Sequence, residues 1–162
     1  MSDLFKLGTY SKIGIVVKNV EEAVEHYEKA FGWGPWQVNE RIDLSDALYK
    51  GVRSGCVLKN AVFPDPSVKM DEDYQLVELI EPLEGESPFK DYLEAHGNGI
   101  MCVQIMVDDL DEAVKELEAN GCEKAFWGNM NVGIPLKVAF MKSPLLGNLQ
   151  FELIAFDFDA DK

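Results

Sequence analysis

The clearest hydrophobic pattern in this chain occurs twice, in residues 12–24 and again in residues 102–114. Each copy begins with a short β-branched run that is typical of a strand and continues with apolar residues at helical spacing. The copies are 90 positions apart (102 minus 12), and five aligned pairs are identical: Ile15/Ile105, Val17/Val107, Glu22/Glu112, Ala23/Ala113 and Val24/Val114. The repetition predicts a duplicated unit with a pseudo-twofold axis and a site where its halves meet.

Capping residues indicate where the helices begin. The two helices of the repeat are predicted over residues 20–31 and 110–120, and a short third helix over residues 88–95 begins with a proline after Ser87. Each repeat helix is preceded by a polar capping residue, and a glutamate lies three residues after that cap, which is the spacing of a capping box. The paired residues are Asn19 with Glu22 and Asp109 with Glu112.

Short apolar runs separated by turn residues predict the remaining strands. The expected strands of the first half are 12–17, 36–42, 56–63 and 74–80, and those of the second half are 101–107, 122–127, 136–141 and 149–154. A loop is expected over residues 64–73 and a turn over residues 128–133. Each half therefore has the order β-α-β-β-β.

The alternation of side chains along a strand assigns one face of each strand to the helices. Ile13, Ile15 and Val17 form an apolar row that should pack on the first helix, and the second copy repeats it. The opposite face then gathers polar side chains from four strands, namely Lys12, Glu78, Cys102, Gln104, Gln150 and Glu152. Carboxylates in the middle of apolar strands need partners, because an unpaired buried charge is costly.

These elements predict an α+β fold of two βαβββ modules, whose curved mixed sheets form an open barrel around a central cavity. The first module with a linker helix is expected to span residues 1–97 and the second residues 98–162, and together they make one compact unit. At 162 residues the chain is long enough to bury a core of this kind.

The charge and composition of the chain exclude some classes of binding partner. The formal net charge of −14 argues against nucleic acid and anionic membranes, which bind basic surfaces. No apolar run is long enough for a membrane span, and the first residues lack the apolar core of a signal peptide. The three widely spaced cysteines predict free thiols, and therefore a cytoplasmic protein.

Several segments resemble the vicinal oxygen chelate superfamily, which includes glyoxalase I, bleomycin resistance proteins and extradiol dioxygenases. The resemblance extends from about residue 12 to residue 156. Residues 13–24 are similar to the opening of that family, and residues 31–36, 77–88 and 96–100 are similar to its methylmalonyl-CoA epimerase-like branch. The resemblance implies a glyoxalase-like fold and a small-molecule ligand, and a homodimer is compatible with it.

The resemblance also implies a divalent metal held by two residues from each half. Glu78 and Glu152 stand at two of these positions, but Lys12 and Cys102 stand where the family has histidines. A charged lysine has no lone pair to offer a metal, and two carboxylates with a thiol match the metals of the family poorly. We therefore expect no cofactor, while a metal at Glu78 and Glu152 with an atypical partner remains an alternative.

The same residues suggest three functions. The first is a metal-independent isomerase, epimerase or lyase on a small carbonyl compound, in which Glu78 and Glu152 transfer protons and Lys12 stabilises negative charge. The second is a non-catalytic protein that sequesters a small molecule, as bleomycin resistance proteins do, and the third is a metal-dependent lyase or epimerase. Lys12 also fits a surface position at a strand start.

The residues expected to contact the ligand are Cys102, Gln104, Gln150, Trp36 and Phe140. Cys102 is interpreted as a small residue lining the cavity, because a thiolate beside two carboxylates is disfavoured. The two aromatic residues fit either an apolar pocket or the core.

Overall fold

A computed structural model of the chain describes residues 10–65, 76–131 and 134–157. Its strands are β1 (Tyr10–Val16), β2 (Gln37–Leu44), β3 (Leu48–Tyr49), β4 (Val52–Arg53), β5 (Cys56–Phe63), β6 (Leu76–Glu84), β7 (Gly99–Met106), β8 (Glu123–Asn131), β9 (Pro135–Lys142) and β10 (Gln150–Phe156). Its helices are α1 (Val20–Phe31), α2 (Pro88–His96) and α3 (Leu110–Ala119), and a 3₁₀ turn spans Pro144–Leu146.

The described strands form one mixed sheet in the order β2-β5-β6-β1-β7-β10-β9-β8-β3-β4. In each module the first strand pairs in parallel with the last, β1 with β6 and β7 with β10, and the modules join through the antiparallel pair β1 and β7. Strands β2 and β8 lie far apart in this order but contact each other, so the sheet curls into a half-barrel. The predicted βαβββ duplication is confirmed.

The helix caps form as the sequence predicts. The Asn19 side chain accepts a hydrogen bond from the Glu22 N–H, and Asp109 does the same for Glu112. Helix α1 ends at Gly32, whose φ of 70° lies in the left-handed region that favours glycine. These local signals set where the two repeat helices begin and where α1 ends.

Three clusters make up the core. Helix α1 packs on Val17, Leu79 and their neighbours, helix α3 covers the equivalent surface of the second module, and the third cluster fills the inside of the half-barrel. Helix α2 contributes Phe89 to this inner cluster, where its ring meets Phe126 and Phe140 edge-on. The inner face that these elements enclose carries the candidate site.

The structure corrects one predicted turn and adds one hairpin. Strand β8 continues through residues 128–131, where a turn was expected, and residues 132–133 lie outside the described residues. Gly128 is needed there because a Cβ atom would come within 2.7 Å of Ala47. The hairpin β3–β4 turns through Lys50 and Gly51, both with positive φ, and pairs with β8.

Two other expectations fall partly on residues that the structure does not describe. The loop predicted over 64–73 lies outside the described residues from position 66 onward. The strand expected over 74–80 is described from Leu76 and extends to Glu84. No helix in the described part of the chain is both long and apolar enough to cross a membrane.

Candidate functional site

The inner face of the half-barrel encloses a cavity of about 320 Å³. Both modules and α2 line it, and the charged side chains among the described residues that line it are Lys12, Glu78 and Glu152. Most of the other lining residues are apolar. A cavity with apolar walls and a few convergent polar groups is typical of a small-molecule site.

Strand register brings two of the three charged residues into one row. Gln104 on β7 pairs with Lys12 on β1 and with Glu152 on β10, so these residues cross the sheet at one level. The side chains of all three face the cavity because residues of one row share a face of the sheet. The duplicated strands thus place Lys12 of the first module near Glu152 of the second.

The next row contains Glu78 and Cys102 on either side of Gly14. The Cys102 thiol fills the space that a side chain at position 14 would need, since a Cβ there would lie 2.4 Å from Sγ. Cys102 was expected to line the cavity, but it is fully buried and is not among the lining residues, because its thiol occupies the space over Gly14. Its Sγ is 4.0 Å from Glu152 Oε2. Burial, together with the nearby carboxylates, raises the pKa of this thiol well above its ordinary value.

Lys12 and Glu78 form an ion pair inside the cavity. Lys12 Nζ lies 2.7 Å from Glu78 Oε2, and both side chains are largely buried. Burial disfavours the ammonium, but attraction to Glu78 and Glu152 and the hydrogen bond to Glu78 outweigh it, so the pKa of Lys12 lies above its ordinary value. Lys12 therefore stays charged and points inward, not along the outer surface.

Two asparagines hold the other oxygen of Glu78. Asn60 Nδ2 donates to Glu78 Oε1, and Asn39 Nδ2 donates to Asn60 Oδ1 over 2.8 Å. The Glu78 carboxylate fixes the direction of both amides, because it can only accept and therefore requires Nδ2 of Asn60, which leaves Asn60 Oδ1 to accept from Asn39. With Lys12 on one oxygen and Asn60 on the other, the carboxylate of Glu78 is held in one position.

Glu152 is placed differently. It is buried, and its side chain hydrogen-bonds Gln104. Burial raises the pKa of Glu152 to about 7, against the opposing attraction of Lys12 and with further repulsion from Glu78. Near neutral pH this group therefore exchanges between the carboxylate and the carboxylic acid, which is the property of a general acid or base.

The other expected ligand contacts divide into three groups. Gln104 and Phe140 line the cavity as expected. Gln150 is not among the cavity-lining residues; its Oε1 is buried without a hydrogen-bond partner among the described residues. Trp36 was expected to contact the ligand, but it packs with Tyr27 and Phe63 in the α1 cluster. This corrects its assignment, because the alternation of β2 turns Gln37 inward.

Sequence reasoning missed several residues of the site. Asn60 carries the only polar side chain among the inward residues 58, 60 and 62 of β5, and that break in an apolar row was a usable signal. Asn39 gave no such signal, because its strand is rich in polar residues. Phe89 reaches the cavity from α2, and no periodicity of the sheet could have indicated this.

The metal that the family resemblance implies can be tested against these side chains. Lys12 is a charged ammonium, the Cys102 thiol is protonated, and Glu78 is already held by Lys12 and Asn60. In the described ranges no group of three or more His, Cys, Asp or Glu side chains is arranged to hold a metal ion. The side chains at this position therefore do not fit a divalent metal.

Comparisons with known proteins agree with this architecture. Residues 11–140 match the family model described as "Glyoxalase/Bleomycin resistance protein/Dioxygenase superfamily". Among curated proteins, none matches the sequence significantly.

Similar solved structures include methylmalonyl-CoA epimerases. A selenomethionine form is 21% identical, with a TM-score of 0.63 over 97% of this chain and 99% of that one. The enzyme from Mycobacterium tuberculosis is 18% identical, with a TM-score of 0.61 over 97% and 93%. A complex with methylmalonyl-CoA and NH4+ is 17% identical, with a TM-score of 0.61 over 93% and 95%. At these identities the likeness shows the fold.

Proposed function

The chain belongs to the glyoxalase/bleomycin resistance protein/dioxygenase superfamily, and we propose that it is a metal-independent isomerase that moves a proton on a small carbonyl compound. One observation carries the proposal: Lys12, which is charged at neutral pH, and Glu152, whose pKa is raised to about 7, face the same cavity. Several similar solved structures are named epimerases, and one of these is a complex with NH4+, the kind of cation that Lys12 carries on its own side chain.

The proposed reaction begins with Glu152 as the carboxylate. It takes a proton from the carbon next to the substrate carbonyl, and the electron pair of that C–H bond forms the C=C bond of an enolate. The carbonyl π electrons move to oxygen, where the Lys12 ammonium stabilises the negative charge. Glu152 is then the carboxylic acid and returns the proton to the same carbon or to one further along a conjugated chain.

Glu78 has a different role in this scheme. Its two oxygens are engaged by Lys12 and Asn60, which supports a fixed anion that orients the ammonium, rather than a second proton carrier. A single proton carrier favours transfer on one face of the substrate, as in a double-bond isomerase or at the start of a lyase reaction. An epimerase that inverts a centre with two carriers fits this site less well.

The experiment follows proton exchange at the carbon next to a carbonyl. NMR in D2O would measure deuterium uptake by a panel of small ketones and enones with the native protein. We expect Glu152→Gln to lower exchange by about 10²–10⁴-fold, while the exposed Glu84→Gln retains it. The rate should rise with pH and level off above about 7, as Glu152 loses its proton. Full exchange by Glu152→Gln would contradict the assignment.

A binding protein without catalysis is the second candidate. The observation that favours it is the locked pair of Lys12 and Glu78, which neutralises the charge of a mostly apolar cavity without leaving Glu78 for chemistry. Native mass spectrometry would then find a ligand that is bound and released unchanged, with no deuterium uptake in D2O.

A further inference from the structure

The polar side chains that line the cavity are concentrated in the first module. That module supplies five of them together with six apolar residues, and the five are Lys12, Gln37, Asn39, Asn60 and Glu78. The part of the second module that lines the cavity is apolar except for Gln104 and Glu152. Its apolar members are Met106, Met130, Leu136, Val138, Phe140, Ile154 and Phe156.

This uneven distribution orients a bound molecule. An oxygen atom is best placed near Lys12 and the polar side chains of the first module, while hydrocarbon is best placed against the more uniformly apolar wall of the second module. Glu152 extends from the apolar wall, so its carboxyl group meets the hydrocarbon part beside the oxygen. The carbon next to a carbonyl would thus lie at Glu152.

The charges of the site argue against an anionic ligand. Lys12 is the only cation that lines the cavity within the described residues, and its charge is already balanced by Glu78. The basic residues on other strands that make ion pairs use carboxylates of the chain: Arg41 with Glu84, Arg53 with Asp46, Lys59 with Glu21 and Glu40, Lys137 with Asp157, and Lys142 with Glu123. A phosphate or carboxylate would enter a protein of net charge −14 without a cation reserved for it.

We infer that the cavity takes a neutral, mainly hydrocarbon ketone or enone, and not a carboxylate or a coenzyme A thioester. This inference names a substrate class for the proposed isomerase and rests on that proposal. Its evidence is the distribution of polar and charged side chains in the cavity. The chain would then differ in substrate from the epimerases whose fold it shares, because the solved complex of that kind holds a coenzyme A ester.

A displacement assay tests the inference without any turnover. The neutral fluorophore N-phenyl-1-naphthylamine gains fluorescence in apolar surroundings and reports occupation of the cavity. Carvone, perillate and propionyl-CoA would compete as a neutral enone, a carboxylate of similar carbon skeleton and a coenzyme A thioester. We expect carvone to displace the probe at a concentration at least about tenfold lower than the other two, because burial of a charge is costly.

Two variants add a charge on different faces of the sheet. Met130→Arg places a cation on the cavity wall, and we expect it to shift the preference at least about tenfold toward perillate. Val38→Arg is the matched control, since Val38 is exposed and does not line the cavity although both of its neighbours do. It should leave the preference of the native protein unchanged.

The outcomes separate this inference from the proposed function. Equal or tighter binding of perillate or propionyl-CoA to the native protein, or failure of the probe or of carvone to bind, overturns the inferred substrate class. Tight carvone binding without deuterium exchange on any ketone supports the class and overturns the proposed isomerase. Deuterium exchange on propionyl-CoA without carvone binding overturns the class and supports the acid–base chemistry.

Discussion

Lys12 Nζ and Glu78 Oε2 lie 2.7 Å apart across the parallel strands β1 and β6. The two residues stand at positions where the family resemblance places two metal ligands, one from each of these strands. In this chain Lys12 supplies a positive charge at the first of these positions, and Glu78 at the second is its counterion. Glu152 lies in the second module, beyond the β1–β7 pair that joins the two modules, and its pKa is near neutrality.

The first prediction concerns the energy of this pair. Lys12→Met leaves Glu78 buried without its cation, and we expect a loss of about 3–5 kcal/mol in the free energy of unfolding. The double variant Lys12→Met with Glu78→Leu removes both charges and should recover most of that loss. Urea unfolding of the native protein, the single variants and the double variant would measure these free energies. The exposed ion pair of Arg41 and Glu84 is the control, because solvent screens it and Arg41→Met should lower the free energy of unfolding far less than Lys12→Met does.

The second prediction is a pH dependence of stability due to Glu152. Its pKa is raised from 4.5 to about 7 in the folded protein, so between these values the folded state binds more protons than the unfolded state. Stability therefore falls as pH rises through this window, by roughly 3 kcal/mol from this group. Glu152→Gln should remove the fall and be more stable than the native protein at pH 8.5, while the two are similar below pH 4.5.

Urea titrations of the two proteins at several pH values would show this as diverging curves. Glu84→Gln is a suitable control, because that carboxylate is exposed and its variant should run parallel to the native protein. Parallel curves for Glu152→Gln would mean that Glu152 ionises in the folded protein as it does in the unfolded chain.

The third prediction concerns metal ions. Dialysis against a chelator should leave deuterium exchange by the native protein unchanged, and calorimetry should detect no tight binding of Ni²⁺. Lys12→His replaces the ammonium with an imidazole beside Glu78 and Glu152, and we expect this variant to gain Ni²⁺ affinity. Lys18→His, at an exposed position outside the cavity, is the control. Tight stoichiometric Ni²⁺ binding by the native protein would refute the proposed exclusion of a metal.

The fourth prediction concerns the contact between Gly14 and Cys102. A Cβ at position 14 would lie 2.4 Å from the fully buried Cys102 Sγ. Gly14→Ala should therefore cost about 1–3 kcal/mol of stability by overpacking. Cys102→Ala removes the sulfur, so the added cost of Gly14→Ala should be smaller in that background. Equal costs in both backgrounds, measured by thermal or urea unfolding, would show that the sulfur is not the obstacle.

Much of the site was visible in the sequence because it depends on short-range periodicity. The alternation of β1, β6 and β10 is enough to put Lys12, Glu78 and Glu152 on one face. Trp36 was expected at the ligand as an aromatic residue at the start of the predicted second strand, not from alternation. It lies one position before β2, and the alternation of β2 turns Gln37, not Trp36, into the cavity.

The sequence by itself determined the duplicated modules, the helix caps and the shared inward face of the charged residues, because each of these follows from residue spacing within a short segment or its repeat. Only the tertiary structure decided which of those charged side chains contact each other. Whether Lys12 meets Glu78 or Glu152, and which carboxylate Asn60 holds, depends on the register between strands that are far apart in the chain. The raised pKa of Glu152 depends on burial against the second module, and burial is a property of the closed sheet.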